Sequence, residues 1–98
     1  MEAQMPRFKV AHIREQGVDL VIIPLDRSFD HKTESDKDSI VSELQVRASS
    51  AGLAGTVVPV WDNGGGRMAF IAPHNWHPFF KGLNLQFIAA NINRELYW

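Results

Sequence analysis

Two stretches of the chain bring together residue types that do chemistry. In "WDNGGGRMAFIAP", residues 61–73, Gly64, Gly66 and Ala69 follow the G-x-G-x-x-A spacing of a dinucleotide-binding loop. That chemistry needs a helix opening directly after the glycines, so that its first amides meet the pyrophosphate. Here "RMAFIAP" follows, a run of strand formers stopped by Pro73, and no Gly-Lys-Ser/Thr occurs for a Walker loop. Asn63 and the glycines suit the positive φ angles of a tight hairpin, so the stretch reads as a hairpin tip flanked by Trp61. What remains of the phosphate reading is a nest of loop amides with Arg67 beside it, able to hold an anion.

The second stretch, "HNWHPFFKG", sets His74 and His77 three residues apart. On a helix, two imidazoles at that spacing can reach one metal. Pro78 disfavours helical geometry at His77, so the segment reads as a loop, and a third ligand would have to come from His12, His31 or Asp62. No metal and no cofactor are expected. Trp76, Phe79 and Phe80 stand in the same loop beside His74, Asn75, His77 and Lys81. These rings have three readings: they plug the open end of a small core, anchor a partner, or line an apolar ligand pocket.

Other catalytic groupings are sparse. His12, on a strand, can serve as a general base if it faces inward near an acid. Ser28, Ser49 and Ser50 lie in no nucleophile-elbow context, and Asp19, Asp26 and Asp30 read as solvated carboxylates. With no cysteine there is no disulfide framework, thiolate metal site or cysteine nucleophile.

The elements that must position these residues follow from pattern. "RFKVAHIR" and "VDLVIIP" read as two strands joined by "EQG", a hairpin. "DRSFDHKTES" is a polar loop leading to a helix, with Thr33, Ser35 or Asp36 available as N-cap. Ile40, Val41, Leu44, Val46, Ala48 and Ala51 mark about four turns, which Gly52 and Gly55 can end. "GTVVPVW" and "RMAFIAP" form a second strand pair around "DNGGG", and "NLQFIAANINRELYW" reads as a second helix capped by Asn84. The order is therefore ββαββα. Pro59, which has no N–H, places its strand at a sheet edge or on a bulge, with its hairpin partner inside. The expected fold is a single α+β domain over residues 1–98. It is a two-layer sandwich of a four-stranded antiparallel sheet with two helices on one face.

That architecture meets a conflict. A sheet with one wet face alternates apolar and polar residues. In "VDLVIIP", however, Val18, Leu20 and Ile22 point one way while Val21 and Ile23 point the other, and "VVPVW" and "MAFIA" are apolar on both faces. Something has to cover the second face. Either the loop aromatics fold over it, or a second subunit does, and a two-fold homodimer is the commonest such assembly.

Charge points the same way. Ten basic residues face eleven acidic ones, alternating in sign, so no basic stripe marks a nucleic-acid surface and none is expected to bind. Only Asp62, Arg67, Lys81, Arg94 and Glu95 are charged in residues 51–98, which hold eight of the ten aromatics, so this half must be largely buried. The N-terminal "MEAQMPRFKV" has no apolar targeting core, and no run is long enough to span a membrane; a cytoplasmic bacterial protein is the expectation.

Two segments, "GTVVPVWDNGGGRMAFIAP" and "HPFFKGLNLQFIAANINREL", resemble the small uncharacterised bacterial proteins carried on mobile integron gene cassettes. The resemblance covers about residues 55–98, implies a soluble and often oligomeric protein, and assigns no catalytic residue. The functional expectation is a small homodimeric binding or interaction module whose contact surface is the aromatic loop and the apolar sheet face, taking a second copy, another protein or a small apolar ligand. Trp61, Arg67, His74, Trp76, His77, Phe79 and Phe80 are its candidate residues. The alternative is a small hydrolase or isomerase using His12, His74 or His77 as acid–base groups in an aromatic pocket.

Overall fold

The computed structural model describes residues 7–97. The reading of the first residues as free of a targeting core, and of Trp98 as part of the buried aromatic half, falls outside them. The chain is α+β, with a five-stranded mixed sheet in the order β4-β3-β2-β1-β5. β1 (Arg7–Glu15) and β2 (Val18–Pro24) form the expected hairpin. Its two turn residues, Gln16 and Gly17, take φ of 51° and 77°, the doubly positive turn that matches strand twist.

After β2 comes a 3-10 turn, Arg27–His31, capped by Asp26, whose carboxylate accepts the Ser28 amide at 2.8 Å. That amide, and then the Ser28 hydroxyl, hold the Asp26 carboxyl below its ordinary pKa. α1 (Glu34–Ser50) starts at Thr33, whose hydroxyl accepts the Asp36 amide at 3.1 Å. It buries Leu44 and Ala48 and ends where Gly52 turns left-handed at φ 82°.

The chain returns as β3 (Thr56–Asp62), and here the expected topology fails. β3 pairs with β2 in parallel, from Leu20↔Thr56 to Pro24↔Val60, and β4 (Met68–Phe70) is the outer strand. The sheet is therefore not all antiparallel, and Pro59 lies in an interior strand, buried. The Ile71 amide donates to the Pro59 carbonyl at 3.2 Å. The reciprocal bond would need a Pro59 N–H, so the β3–β4 ladder stops at Phe70.

The second half also departs from expectation. His77 has helical φ −56° and ψ −44°, and α2 (His77–Lys81) contains Pro78 in its first turn, where a missing N–H costs nothing. α3 (Leu85–Ala90) begins at Asn84 as expected but ends after six residues. Asn91 turns its side-chain amide back to the Phe87 carbonyl at 2.8 Å, and the chain leaves as β5 (Arg94–Tyr97), antiparallel to β1. An Asn side chain competes for backbone groups in this way, and the aliphatic spacing on either side carries no sign of it.

The helices divide between the two faces. α1 packs on Val10, Val21, Ile23, Val57 and Leu96 with Leu44, Ala48 and Leu53. On the other face Trp76, Phe80 and Ile88 close over Ala11, Leu20, Ile22, Val58 and Val60. The apolar second face is thus covered by the chain's own α2–α3 layer, which corrects the two-layer arrangement with both helices on one side. Among the described residues no helix is long and apolar enough to cross a membrane.

The crossover from α1 into β3 is tied by two contacts. Gln45 accepts the Val57 amide at 2.9 Å and donates to the Gly55 carbonyl at 3.1 Å. Gly55, at φ 118°, passes so close to β2 that a Cβ there would overlap the Asp19 carbonyl. Gly65, at φ 64°, faces open space. In urea unfolding, Gly55→Ala is expected to cost more than about 3 kcal/mol, whereas Gly65→Ala costs about 1 kcal/mol from φ strain alone. Equal costs would show that the close approach at Asp19 is not what demands the glycine.

Candidate functional site

The residues singled out in the sequence do not meet in one place. Trp61 lies on the α1 face, 4 % exposed, its indole N–H donating to Asp30 at 3.1 Å and its ring edge-on to Phe29 at 4.7 Å. The Lys37 ammonium sits 5.6 Å from the Trp61 ring centre. This is packing with satisfied polar ends, beneath α1.

Arg67 is exposed at the base of the glycine hairpin. There Asp62 accepts the Gly64 amide at 2.8 Å, Asn63 donates to the Arg67 carbonyl at 3.0 Å, and Arg67 donates to the Gly64 carbonyl at 3.3 Å. Gly64, Gly65 and Gly66 all take positive φ. These bonds close the stretch as a hairpin tip, with the Gly64 amide already taken by Asp62.

His74, Trp76, His77, Phe79 and Phe80 do come together, on the opposite face from Trp61. Phe80 is fully buried and Trp76 is 9 % exposed; Phe79 and Phe80 meet edge-on at 5.2 Å. These rings plug the core. His77 donates its Nε2 hydrogen to the Ala72 carbonyl at 3.0 Å and stands edge-on to Phe70 at 5.3 Å. His74 is exposed, with its ring centre 5.2 Å from that of His77. Among the described residues no three His, Cys, Asp or Glu side chains are grouped to hold a metal. Where this layer reaches the β1–β2 turn it leaves a small hollow of about 350 Å³ lined by Gln16, Asn75, Trp76, Pro78 and Phe79.

His12 belongs to neither group. It lies on the α1 side of β1, where its Nε2 hydrogen bonds to the Ala54 carbonyl at 2.8 Å. The three histidines of the acid–base alternative are thus divided between the two faces of the sheet.

A more open concavity lies elsewhere, and its residues were not singled out in the sequence as a site. α3 is six residues, about 9 Å long, and covers the middle of the sheet without reaching its β5 edge. The gap is an open groove of about 810 Å³ lined by Lys9, Pro24, Leu85, Ala89, Ile92, Asn93, Arg94 and Glu95. Leu85 and Ala89, one helical turn apart, form its apolar wall with Ile92 and Pro24. Asn93 secures the floor: its side-chain oxygen accepts the His12 amide at 2.8 Å and its NH₂ donates to the His12 carbonyl at 2.9 Å. It thereby continues the β5 ladder by side chain. The signal for this site was present in "NINRELY", where two asparagines interrupt an aliphatic run ahead of an alternating segment.

The groove rim carries unmatched charge. Lys9 and Glu95 stand opposite one another in the β1–β5 register. The ion pairs among the described residues are Lys37–Glu34 at 3.9 Å and Arg47–Glu43 at 3.6 Å, both on α1. Arg94, paired with Val10, turns its side chain to the α1 face, where Nη1 donates to the neighbouring Asn93 carbonyl at 2.9 Å, so it lines the groove near its backbone. The rim thus presents one cation and one anion, Lys9 and Glu95, that join no ion pair among the described residues.

Comparison with family models, curated proteins and solved structures finds no match to the chain. Geometry alone carries the functional reading.

Zinc added to the protein is expected to leave Tm unchanged. His77→Ala should cost about 1 kcal/mol through loss of the Ala72 bond, and His74→Ala less than about 0.5 kcal/mol. A zinc-dependent rise in Tm abolished by either variant would establish a metal site instead.

Proposed function

We propose that the protein is a small binding module whose contact surface is the groove between α3 and the β1–β5 edge, and that it takes a small ligand with an apolar body. The supporting observation is the groove's composition: an apolar wall of Leu85, Ala89, Ile92 and Pro24 beside Lys9 and Glu95, which join no ion pair among the described residues. Its volume of about 810 Å³ lies within the range of small-molecule sites. Trp76 and Phe80 of the aromatic loop, and the sheet face beneath them, are buried, which favours the groove over them as the contact surface. The cassette-protein resemblance contributes no residue to this reading.

A homodimer is the second reading, and the outer edge of β4 favours it. Bonds at Ile71–Pro59 and Asn63–Arg67 alternate along the hairpin, so Met68 and Phe70 turn their backbone N–H and C=O away from β3. No charged residue interrupts Met68–Phe70, whereas the opposite edge, β5, carries Arg94 and Glu95. A bare apolar edge is a template for strand pairing. Light scattering across a concentration series decides the matter: a dimer mass supports pairing, and a monomer mass at the highest soluble concentration removes it.

For the groove, Ala89→Trp is the direct test, because Ala89 is exposed and a tryptophan there fills the space. Nile red, a neutral apolar dye, is expected to fluoresce with the unaltered protein and to bind about tenfold more weakly to Ala89→Trp at unchanged Tm. No dye binding, or binding indifferent to the substitution, would overturn the groove reading.

A further inference from the structure

The glycine tip sets one asparagine apart from the others. Of the five in the chain, Asn84, Asn91 and Asn93 bond their side chains to backbone groups. Asn75 is exposed and precedes the bulky Trp76, whereas Asn63 is exposed and precedes Gly64. Among the described residues no hydrogen bond engages the Asn63 side chain, although its backbone N–H is held by the Arg67 carbonyl at 3.0 Å. Gly64, at φ 122°, has open space where a Cβ would stand. A free side-chain amide beside an unhindered backbone nitrogen is the arrangement from which a cyclic imide closes. The proton on that nitrogen already has a destination. The Gly64 N–H donates to the Asp62 carboxylate at 2.8 Å, within the reach required of a general base. Asp62 is half-buried and joins no ion pair among the described residues.

We infer that Asn63–Gly64 is a self-modifying site, where the Asn63 side chain cyclises onto the Gly64 nitrogen with Asp62 as the proton acceptor. The bond from the Gly64 nitrogen to Asn63 Cγ forms, and the bond from Cγ to the side-chain nitrogen breaks. Asp62 takes the proton from the Gly64 nitrogen and returns it to the departing nitrogen, which leaves as ammonia. Water then opens the imide at either carbonyl, giving aspartate or isoaspartate at position 63, with no oxidant or reductant. Isoaspartate adds a carbon to the main chain between the Asn63 N–H and the Gly64 carbonyl, the two groups that grip Arg67. It also sets a second carboxylate beside Asp62. The product therefore loosens the clasp from which β4 starts, independently of what the groove binds.

Peptide mapping by mass spectrometry follows the conversion in the folded protein during incubation at neutral pH. Aspartate and isoaspartate are expected to accumulate at position 63 while Asn75 stays intact. Asn63→Gln should abolish the reaction, because the longer side chain closes a less favoured ring. Asp62→Ser keeps an oxygen able to accept the Gly64 amide in the same kind of turn, but supplies no base. In that variant the rate should fall about tenfold or more at unchanged Tm. Asp62→Thr repeats the comparison if the serine variant loses Tm. Asn63 that stays intact throughout a prolonged incubation overturns the inference. So does conversion that runs as fast in the hydroxyl variants as in the unaltered protein, since Asp62 would then take no part.

Discussion

The structure depends on the two-sided burial of β2 and β3. Leu20 and Ile22 enter one core while Val21 and Ile23 enter the other, and all four are fully buried. Each such side chain contributes about 1.5–3 kcal/mol when taken out of water, so neither face can be left to solvent. A strand apolar on both faces belongs in the interior of a sheet covered on both sides, the setting in which parallel pairs occur. Once β2 is interior, the polypeptide after it must cross over one face and return, and α1 is that crossover. The second layer then has to come from whatever follows β4, which is the aromatic-rich segment holding α2 and α3.

The candidate site is a by-product of that division of labour. α1 has seventeen residues and spans its face; the opposite layer is built from helices of five and six residues and a short turn. The shorter layer puts its bulk, Trp76, Phe80 and Ile88, over the middle strands and leaves the β1–β5 edge open on one side. Asn93 makes the opening firm by locking β5 to His12 with paired side-chain bonds. A groove with a rigid floor and a wall from one helical face is the consequence.

Much of the local structure was legible in the residues. The Gln16–Gly17 turn, the cap of α1 (Thr33 among the three candidates Thr33, Ser35 and Asp36) and the glycine tip at residues 64–66 each follow from a conformational preference acting within a few residues. The conflict between a one-sided sheet and strands apolar on both faces was also legible, and it was a correct signal of a covered second face. Three features were not. Pro78 fits the first turn of α2, although it also fits a loop. Leu85, Ile88, Ile92 and Leu96 keep helical spacing across a break made by Asn91 and Asn93. Pro59 tolerates an interior strand because β4 ends beside it. In each case the local preference was satisfied in more than one way, and packing chose between them.

The sequence by itself determined where the first hairpin and the glycine tip turn, the neighbourhoods in which α1 and α3 begin, and that two apolar faces needed cover, because these depend on φ preferences, capping atoms and side-chain alternation. Only the tertiary structure decided that β3 lies parallel to β2, that Trp76 and Phe80 face inward, and that Lys9, Glu95 and Leu85 meet at one groove. Lys9 and Glu95 are eighty-six positions apart. Their approach is set by the register of β5 on β1, which local preferences leave open until the two cores have formed on either side of the sheet.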